Sequence, residues 1–230
     1  MTPPYPAPLA AVLFDFDGTL IDASAAICHA FAAALEALGH PALPPAHIRD
    51  CIGRPLVAMF PELVPGFAEA DIPRAIDLYR TAFRAVSRQW TRPLPGLAPL
   101  IETLAAADCR CAIVTSRRGT GTREILTDLT LDDRFPVIVG IEDVTAAKPH
   151  PEGILRALAA LAVPPEQALM VGDTPDDIGA AIAAGLPGWG VSPDPARRAA
   201  LTAAGANAVA RDLFEIQNLL LASGRLTPQT

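Results

Sequence analysis

The chain has 230 residues, of which 51% are hydrophobic and 19% are charged, a balance typical of a globular protein of one or two domains. Its formal charge is −7 and its pI is about 5.0, so its overall field would repel nucleic acid and anionic membranes. An anionic substrate would therefore need a local positive charge, such as a metal ion, at its binding site.

The sequence gives no indication of export or of a membrane anchor. Residues 1–9 have no Lys or Arg and are rich in proline, which is atypical of a signal peptide. No apolar run approaches the roughly 18 residues that a membrane span needs. The four cysteines have no CxxC spacing, which favours buried thiols over a zinc or redox site. We therefore expect a cytoplasmic protein.

Short apolar runs alternate with helical patterns along most of the chain. This alternation predicts an α/β fold with parallel strands joined by helices. The predicted strands span 11–14, 111–115, 137–140, 168–171 and 188–191. Apolar residues at helical spacing predict connecting helices over 97–104 and 154–161.

The segment 21–93 interrupts this alternation, because it shows helical patterns and no convincing strand. Apolar residues recur at helical spacing over 27–38, where Gly39 is placed to end the helix, and again over 72–90. The segment is too long for a loop. We therefore predict a core formed by residues 1–20 and 94–230, with an all-helical domain, 21–93, inserted into it.

Asp15, Asp17 and Gly18 directly follow the first predicted strand. Two carboxylates in this position can face the crevice where open α/β sheets bind ligands. Gly18 permits a sharp turn after them, since it tolerates positive φ. Two alternatives compete: an Asp-Gly hairpin turn, which needs a second strand where a helical pattern follows, and a calcium loop, which needs glycine where the chain has Leu20.

Two further motifs follow later strands. Thr115 and Ser116 end the second predicted strand, and their hydroxyls, with the amides of a following helix, could hold a phosphoryl oxygen. A helix N-cap is the alternative interpretation. Lys148 is the only lysine of the chain. Its ammonium could neutralise a phosphoryl group and Asp15 together, and a surface position without function is the alternative.

The last motif, GDTPDD at 172–177, follows the fourth predicted strand. Magnesium prefers oxygen ligands from one or two carboxylates, water and phosphate, and Asp15, Asp173 and Asp177 can supply the carboxylates. Acidic residues also commonly stabilise the start of a helix, which is the alternative here. Because each motif follows a different strand, all four motifs are expected to converge on one edge of the sheet.

In their order along the chain, DFDGT at 15–19, Thr115, Lys148 and GDTPDD at 172–177 resemble the four motifs of the haloacid dehalogenase superfamily. The resemblance covers essentially the whole chain. It implies a Rossmann-like three-layer core with a mainly parallel sheet and a helical cap of the C1 type inserted after the first strand. In that core, the strand before Asp15 is central, between the second and fourth predicted strands.

The resemblance also implies a role for each motif residue. Asp15 would be the nucleophile, and Asp17 the general acid that then activates water. Thr115 would bind the transferring phosphoryl group, and Lys148 would hold that group and Asp15 together. Magnesium would be bound by Asp15, the backbone carbonyl of Asp17, and Asp173. A further metal ligand, Asp177, would act mainly through water.

Asp17 selects the reaction within the superfamily. Dehalogenases resemble this chain at the first aspartate but lack the second acid, because a departing halide needs no proton, whereas an alkoxide does. The stretches 52–56, 94–96, 190–191 and 204–207 are similar to the phosphoglycolate phosphatase-like group. Those relatives usually carry asparagine where this chain has Ser116. Predicted substrate contacts are Gly18, Thr19, Ser116 and Arg54.

Together these observations predict a magnesium-dependent phosphatase that hydrolyses a small phosphomonoester, such as phosphoglycolate, through an aspartyl-phosphate. A phosphomutase of the β-phosphoglucomutase type is the nearest alternative. A pyrophosphatase, a dehalogenase and a non-catalytic phosphate-binding protein are further alternatives. The expected partner is a small phosphorylated metabolite, with neither nucleic acid nor membrane, and the expected assembly is a monomer or a homodimer.

Overall fold

The computed structural model describes residues 8–226. The expected absence of a signal peptide concerns residues 1–9, which lie mostly outside this range. The strands are β1 (Ala11–Phe14), β2 (Ile21–Asp22), β3 (Arg92–Pro93), β4 (Arg110–Val114), β5 (Val137–Val139), β6 (Ala168–Gly172), β7 (Gly188–Val191) and β8 (Ala208–Ala210). The α-helices are α1 (Ser24–Ala37), α2 (Pro45–Asp50), α3 (Leu56–Leu63), α4 (Ile72–Trp90), α5 (Leu97–Ala106), α6 (Gly119–Asp128), α7 (Glu152–Leu161), α8 (Pro175–Ala184), α9 (Pro195–Ala203) and α10 (Leu213–Ala222).

A parallel sheet with the strand order β5-β4-β1-β6-β7-β8 forms the centre of the protein. β1 pairs with β4 on one side and with β6 on the other, in register from Ala11 to Phe14. All four residues of β1 are fully buried, which explains its uninterrupted apolar sequence. The α/β fold class and the central position of β1 are therefore confirmed.

Helices cover both faces of this sheet. Alternate side chains of β1 point to opposite faces: Val12 and Phe14 pack into one hydrophobic core, and Leu13 packs into a second. The first core contains apolar residues of α5 and α10, and the second contains those of α7 and α8. The sheet is thus the middle layer of three. No helix within residues 8–226 is both long enough and apolar enough to cross a membrane.

Helices α1 to α4 lie between β2 and β3 and are called the helical insertion (residues 24–90). Its core contains an aromatic cluster, in which the Phe31 ring lies 4.8 Å from both the Phe60 and Tyr79 rings. As predicted, Gly39 follows the end of α1, with φ of +76°, and the next amide, of His40, donates to the carbonyl of Leu35 at 2.9 Å. The division into two domains stays a prediction.

The sequence pattern missed three short strands. β2 and β3 form a two-residue antiparallel ribbon at the base of the helical insertion, so the prediction of no strand over 21–93 was wrong at its two ends. β8 is a three-residue edge strand, too short for a recognisable alternation. Since β2 pairs with β3 and not with β1, the hairpin alternative for Asp17 and Gly18 is also wrong.

Candidate active site

The predicted motifs meet at the carboxyl edge of the parallel sheet. Asp15 follows β1, Thr115 follows β4, and Asp173 follows β6. Lys148 lies between β5 and α7 and reaches the same edge. This arrangement arises because the carboxyl ends of neighbouring parallel strands lie side by side.

Three carboxylates form a compact cluster at this edge. Asp15, Asp173 and Asp177 each contribute an oxygen that lies within 4.8 Å of the other two. All three residues are buried, with exposures of 2%, 5% and 0%. Asp15 Oδ2 is also buried and has no hydrogen-bond partner among the residues that the structure describes. A buried acceptor without a donor costs about 1–3 kcal/mol, so a further donor or positive group at this oxygen would be stabilising.

Burial and like charge make the ionised carboxylates of the cluster costly. Burial raises the pKa of Asp15 to about 7, with the Lys148 charge opposing this shift and the Asp177 charge adding to it. Burial and the neighbouring charge of Asp15 also raise the pKa of Asp173 well above its ordinary value. A cation bound between the carboxylates would offset both burial and mutual repulsion.

Lys148 supplies part of the missing positive charge. Its Nζ donates to Asp15 Oδ1 at 2.6 Å, to Asp177 Oδ1 at 2.6 Å and to the Val114 carbonyl at 3.1 Å. Burial alone would lower the pKa of Lys148, but the charges of Asp15 and Asp177 outweigh it and raise that pKa. All three ammonium protons are engaged and the side chain is buried, so the alternative of a surface position is wrong.

Asp177 stabilises the start of a helix, which the sequence offered as the alternative role, and it also binds Lys148. Its Oδ1 accepts from Lys148, and its Oδ2 accepts from the backbone N–H of Thr174 at 3.0 Å and from the Thr174 hydroxyl at 2.8 Å. The latter contacts form a capping box at the start of α8. Asp177 therefore anchors both α8 and Lys148, and its predicted contact with a metal through water stays a prediction.

Asp17 faces a different partner. Arg117 Nε donates to Asp17 Oδ2 at 2.9 Å, and Arg117 Nη2 donates to Asp17 Oδ1 at 2.8 Å. Burial would lower the pKa of Arg117, but the charge of Asp17 raises it overall. The guanidinium also lies 4.4 Å from the ring centre of Phe83 in α4. The Asp17 side chain thus lies outside the carboxylate cluster, and metal binding through its backbone carbonyl stays a prediction.

Thr115 and Ser116 line the crevice beside Asp15. The Thr115 hydroxyl accepts from the backbone N–H of Arg117 at 3.1 Å. Helix α6 begins only at Gly119 and has no side-chain N-cap bond, so the N-cap alternative for Thr115 and Ser116 is wrong. The Gly119 amide donates instead to Glu142, at 3.0 Å to Oε1.

Gly18 and Thr19 are placed against Asp173. A side chain at position 18 would come within 2.4 Å of Asp173 Oδ2, and φ there is +88°, so only glycine fits. The Thr19 hydroxyl donates to Asp173 Oδ1 at 3.3 Å and is fully buried. These residues therefore support Asp173, and their predicted contact with substrate stays a prediction.

Arg197 is a site residue for which the sequence carried no recognisable motif. Its Nη1 donates to Asp173 Oδ2 at 3.3 Å, and its Nη2 donates to the backbone carbonyl of Arg49 in α2 at 3.2 Å. It therefore bridges the carboxylate cluster and the helical insertion. Arg117 was visible in the sequence only as a basic neighbour of Ser116, and nothing there indicated its pairing with Asp17.

A cavity of about 240 Å³ opens from Asp15 and Asp17 towards the helical insertion. Arg54 lines it and forms an ion pair with Glu62, and its predicted contact with substrate stays a prediction. Apolar residues form much of its lining: Ile27, Ile52, Leu56, Met59, Ile76, Phe83 and Ile125. The cavity therefore offers space for the non-reacting part of a ligand.

The cluster fits a magnesium ion. Its ligand atoms are carboxylate oxygens, which hard divalent cations prefer. The buried Asp15 Oδ2 lacks a donor among the described residues, and Gly18 keeps the space beside Asp173 clear. Asp15 and Asp173 would hold the ion, with Asp177 next to them.

Fold and site together define an α/β protein with a buried aspartate, a lysine and a carboxylate cluster that could hold a cation, all at the carboxyl edge of a parallel sheet. The chain belongs to the haloacid dehalogenase-like hydrolase family, whose model matches residues 12–191. This result confirms the family that the four motifs indicated.

Individual relatives agree with this assignment. The chain is 33% identical over 187 residues to phosphoglycolate phosphatase of Xylella fastidiosa, covering 78% of this chain and 80% of the relative. It is 33% identical over 167 residues to pyrophosphatase PpaX of Halalkalibacterium halodurans, covering 73% and 76%. A haloacid dehalogenase-like family hydrolase from Streptococcus pneumoniae superposes with a TM-score of 0.80 at 26% identity, covering 92% and 98%. The chain is thus a phosphatase of this family, similar to phosphoglycolate phosphatases.

Proposed function

We propose that the protein hydrolyses a small phosphomonoester with magnesium, through a phosphoryl group carried transiently on Asp15. The observation that carries this proposal is that the two oxygens of the Asp15 carboxylate have different surroundings. Oδ1 accepts from Lys148, while Oδ2 is buried without a donor among the described residues. One oxygen is thus fixed in place, and the carboxylate keeps unused acceptor capacity for a cation or a phosphoryl group.

In the first step, an oxygen of the ionised Asp15 attacks phosphorus, and the bond from phosphorus to the ester oxygen breaks. Lys148 offsets the repulsion between the carboxylate and the phosphoryl oxygens. Asp17, in its protonated form, gives its proton to the departing alkoxide. Thr115, which lines the same crevice, would donate its hydroxyl to a phosphoryl oxygen.

In the second step, water attacks the phosphorus of the aspartyl-phosphate. Asp17, now a carboxylate, takes a proton from that water, and the bond from phosphorus to Asp15 breaks. The cycle returns both aspartates to their starting forms and yields an alcohol and inorganic phosphate. Bound magnesium supplies positive charge that offsets the charge of the phosphoryl oxygens.

The helical insertion would hold the leaving group. Arg54 lines the same cavity as the aspartates, and its guanidinium would bind an anionic group of the substrate. The similarity to phosphoglycolate phosphatases supports a compact anionic ester such as phosphoglycolate. We also propose that the protein acts in the cytoplasm, which is supported by four cysteines that form no disulfide.

The test is a panel of phosphate esters and pyrophosphate incubated with purified protein and Mg²⁺, with release of inorganic phosphate as the readout. We expect sustained release from at least one small monoester, and loss of that release in Asp15→Asn. Turnover that survives Asp15→Asn would contradict the proposed mechanism.

Two outcomes of the same panel separate the alternatives. Phosphate release that requires no sugar bisphosphate argues against a phosphomutase. Pyrophosphate as the preferred substrate would replace the monoester proposal, and no release from any ester would favour a non-catalytic phosphate-binding protein.

A further inference from the structure

The contact between Arg117 and Asp17 joins three parts of the protein. Arg117 lies between β4 and α6, Asp17 follows β1, and Phe83 in α4 packs against the guanidinium at 4.4 Å. The side chains of Arg117 and Asp17 are 13% and 12% exposed. Two parallel N–H to oxygen bonds, at 2.9 and 2.8 Å, hold the carboxylate in one plane.

We propose that Arg117 is the positioning residue for Asp17, and that it is required for proton transfer to the leaving group. This inference rests on the proposed function of Asp17. A flexible aspartate side chain adopts several rotamers, and some of them point away from the ester oxygen. The two bonds from Arg117 hold Asp17 in a single rotamer. Arg117 itself is held by Phe83 and by its own backbone bond to the Thr115 hydroxyl.

The two bonds leave Asp17 able to transfer a proton. Each carboxylate oxygen has two acceptor sites, so the pair with Arg117 occupies about half of them. When Asp17 has passed its proton to an alkoxide, the same two bonds hold the resulting carboxylate in place for the second step. Arg117 thus acts through the orientation of Asp17 in both steps.

The leaving group provides a selective test of this role. An alkoxide needs a proton as it leaves, whereas p-nitrophenolate is a stable anion and needs little help. The second-order rate constant kcat/KM covers the steps up to departure of the leaving group. The test quantity for each variant is therefore a ratio: kcat/KM for n-propyl phosphate divided by kcat/KM for p-nitrophenyl phosphate.

We expect Arg117→Ala to lower the ratio of propyl to p-nitrophenyl phosphate at least about tenfold, because general acid catalysis contributes about 10²–10⁴-fold. Arg117→Lys should give an intermediate ratio, since an ammonium keeps the charge but cannot form the parallel pair. Partial unfolding does not alter the ratio, because both esters are assayed with the same protein sample.

Two controls complete the design. Arg123→Ala removes an exposed arginine from α6, six positions further on, and should leave the ratio unchanged. In an Asp17→Asn background, adding Arg117→Ala should change the ratio less than about twofold, because a residue that acts through Asp17 has no further effect once that acid is gone. The p-nitrophenyl ester keeps this background measurable.

The outcomes separate this inference from the proposed function. If the unmodified protein with Mg²⁺ hydrolyses neither ester nor any other monoester, the proposed function fails. If the unmodified protein is active and Arg117→Ala lowers kcat/KM for both esters by the same factor, the proposed function stands and the positioning role is overturned. A further fall of the ratio in the Asp17→Asn background would overturn it as well.

Discussion

The two aspartates of the DFDGT motif lie two residues apart but in different surroundings. Asp15 pairs with Lys148, and their side chains are 3% and 7% exposed. Asp17 pairs with Arg117, and these side chains are 12% and 13% exposed. Lys148 contacts Asp15, the Val114 carbonyl at the end of β4 and Asp177 of α8, whereas Arg117 contacts Phe83 of the helical insertion.

This difference indicates separate roles for the Asp15 side and the Asp17 side of the crevice. On the Asp15 side, burial of like charges creates a need for cations, which Lys148 meets in part. On the Asp17 side, a bidentate pair orients a carboxylate beside the cavity for the leaving group. We therefore expect changes on the first side to affect stability and all turnover, and changes on the second to depend on the leaving group.

The largest combined effect is expected for Lys148→Met. This change leaves Asp15 and Asp177 buried without their counter-charge, which costs about 3–5 kcal/mol when one partner of a buried pair is removed. Turnover should be lost as well. Denaturant unfolding in EDTA measures the free energy of unfolding, and phosphate release measures activity.

Lys148→Arg is the matched control, since it retains the charge with a different shape. It should lose less stability than Lys148→Met. If Lys148→Met is as stable as the unmodified protein in EDTA, the ammonium does not offset the negative charge of the carboxylate cluster.

The free energy of unfolding should depend on pH through the same carboxylate cluster. The folded-state pKa of Asp15 is raised to about 7, above the value of about 3.9 for an unfolded chain. Between these values the folded state binds more protons, so the free energy of unfolding should fall as pH rises, by at most about 1.4 kcal/mol per pH unit for this group. Unfolding of the metal-free protein between about pH 4.5 and 7.5 measures it.

Two comparisons isolate this contribution. Asp15→Asn should make the fall in stability shallower, while Asp173, whose pKa is also raised, retains part of it. Mg²⁺ should suppress the fall in the unmodified protein. Glu152 does not interfere, because hydrogen bonds from Thr145 and Arg156 lower its pKa to about 2, below this range. If the stability of Asp15→Asn depends on pH in the same way as that of the unmodified protein, the raised pKa of Asp15 is contradicted.

The smallest effect is expected on the side of the leaving group, for Arg54→Ala. Arg54 is about half exposed, so its charge should contribute at most about 1 kcal/mol, or about fivefold in KM. We expect KM to rise for esters with an anionic leaving group, at unchanged kcat. Glu62→Gln frees Arg54 from its ion pair and should lower the same KM. If KM rises in both variants, direct binding of the ester by Arg54 is excluded.

The parts of the molecule that could be predicted from the sequence are those controlled by local pattern. Each core strand is a short apolar run, and the residue after it lies at the sheet edge, so Asp15, Thr115 and Asp173 could be placed together in advance. Helix α4 was predicted over its full length, 72–90, because its apolar residues recur at helical spacing.

The remainder depends on contacts between distant residues. Arg117 and Asp17 are 100 positions apart, and Arg197 reaches Asp173 and a carbonyl of α2 through side-chain geometry alone. No periodicity in the sequence encodes such contacts. β8 was missed for a different reason, since three small residues at an edge carry too little pattern.

The measurement that tests the central claim most directly is detection of the phosphoryl group on the protein. Asp17→Asn should slow attack by water on the aspartyl-phosphate while still reacting with p-nitrophenyl phosphate, so the phosphorylated form should accumulate. Acid quenching followed by mass spectrometry of the peptides would locate the group. We expect one phosphoryl group on Asp15, and a phosphoryl group on another residue, or none while the ester is consumed, would contradict the account.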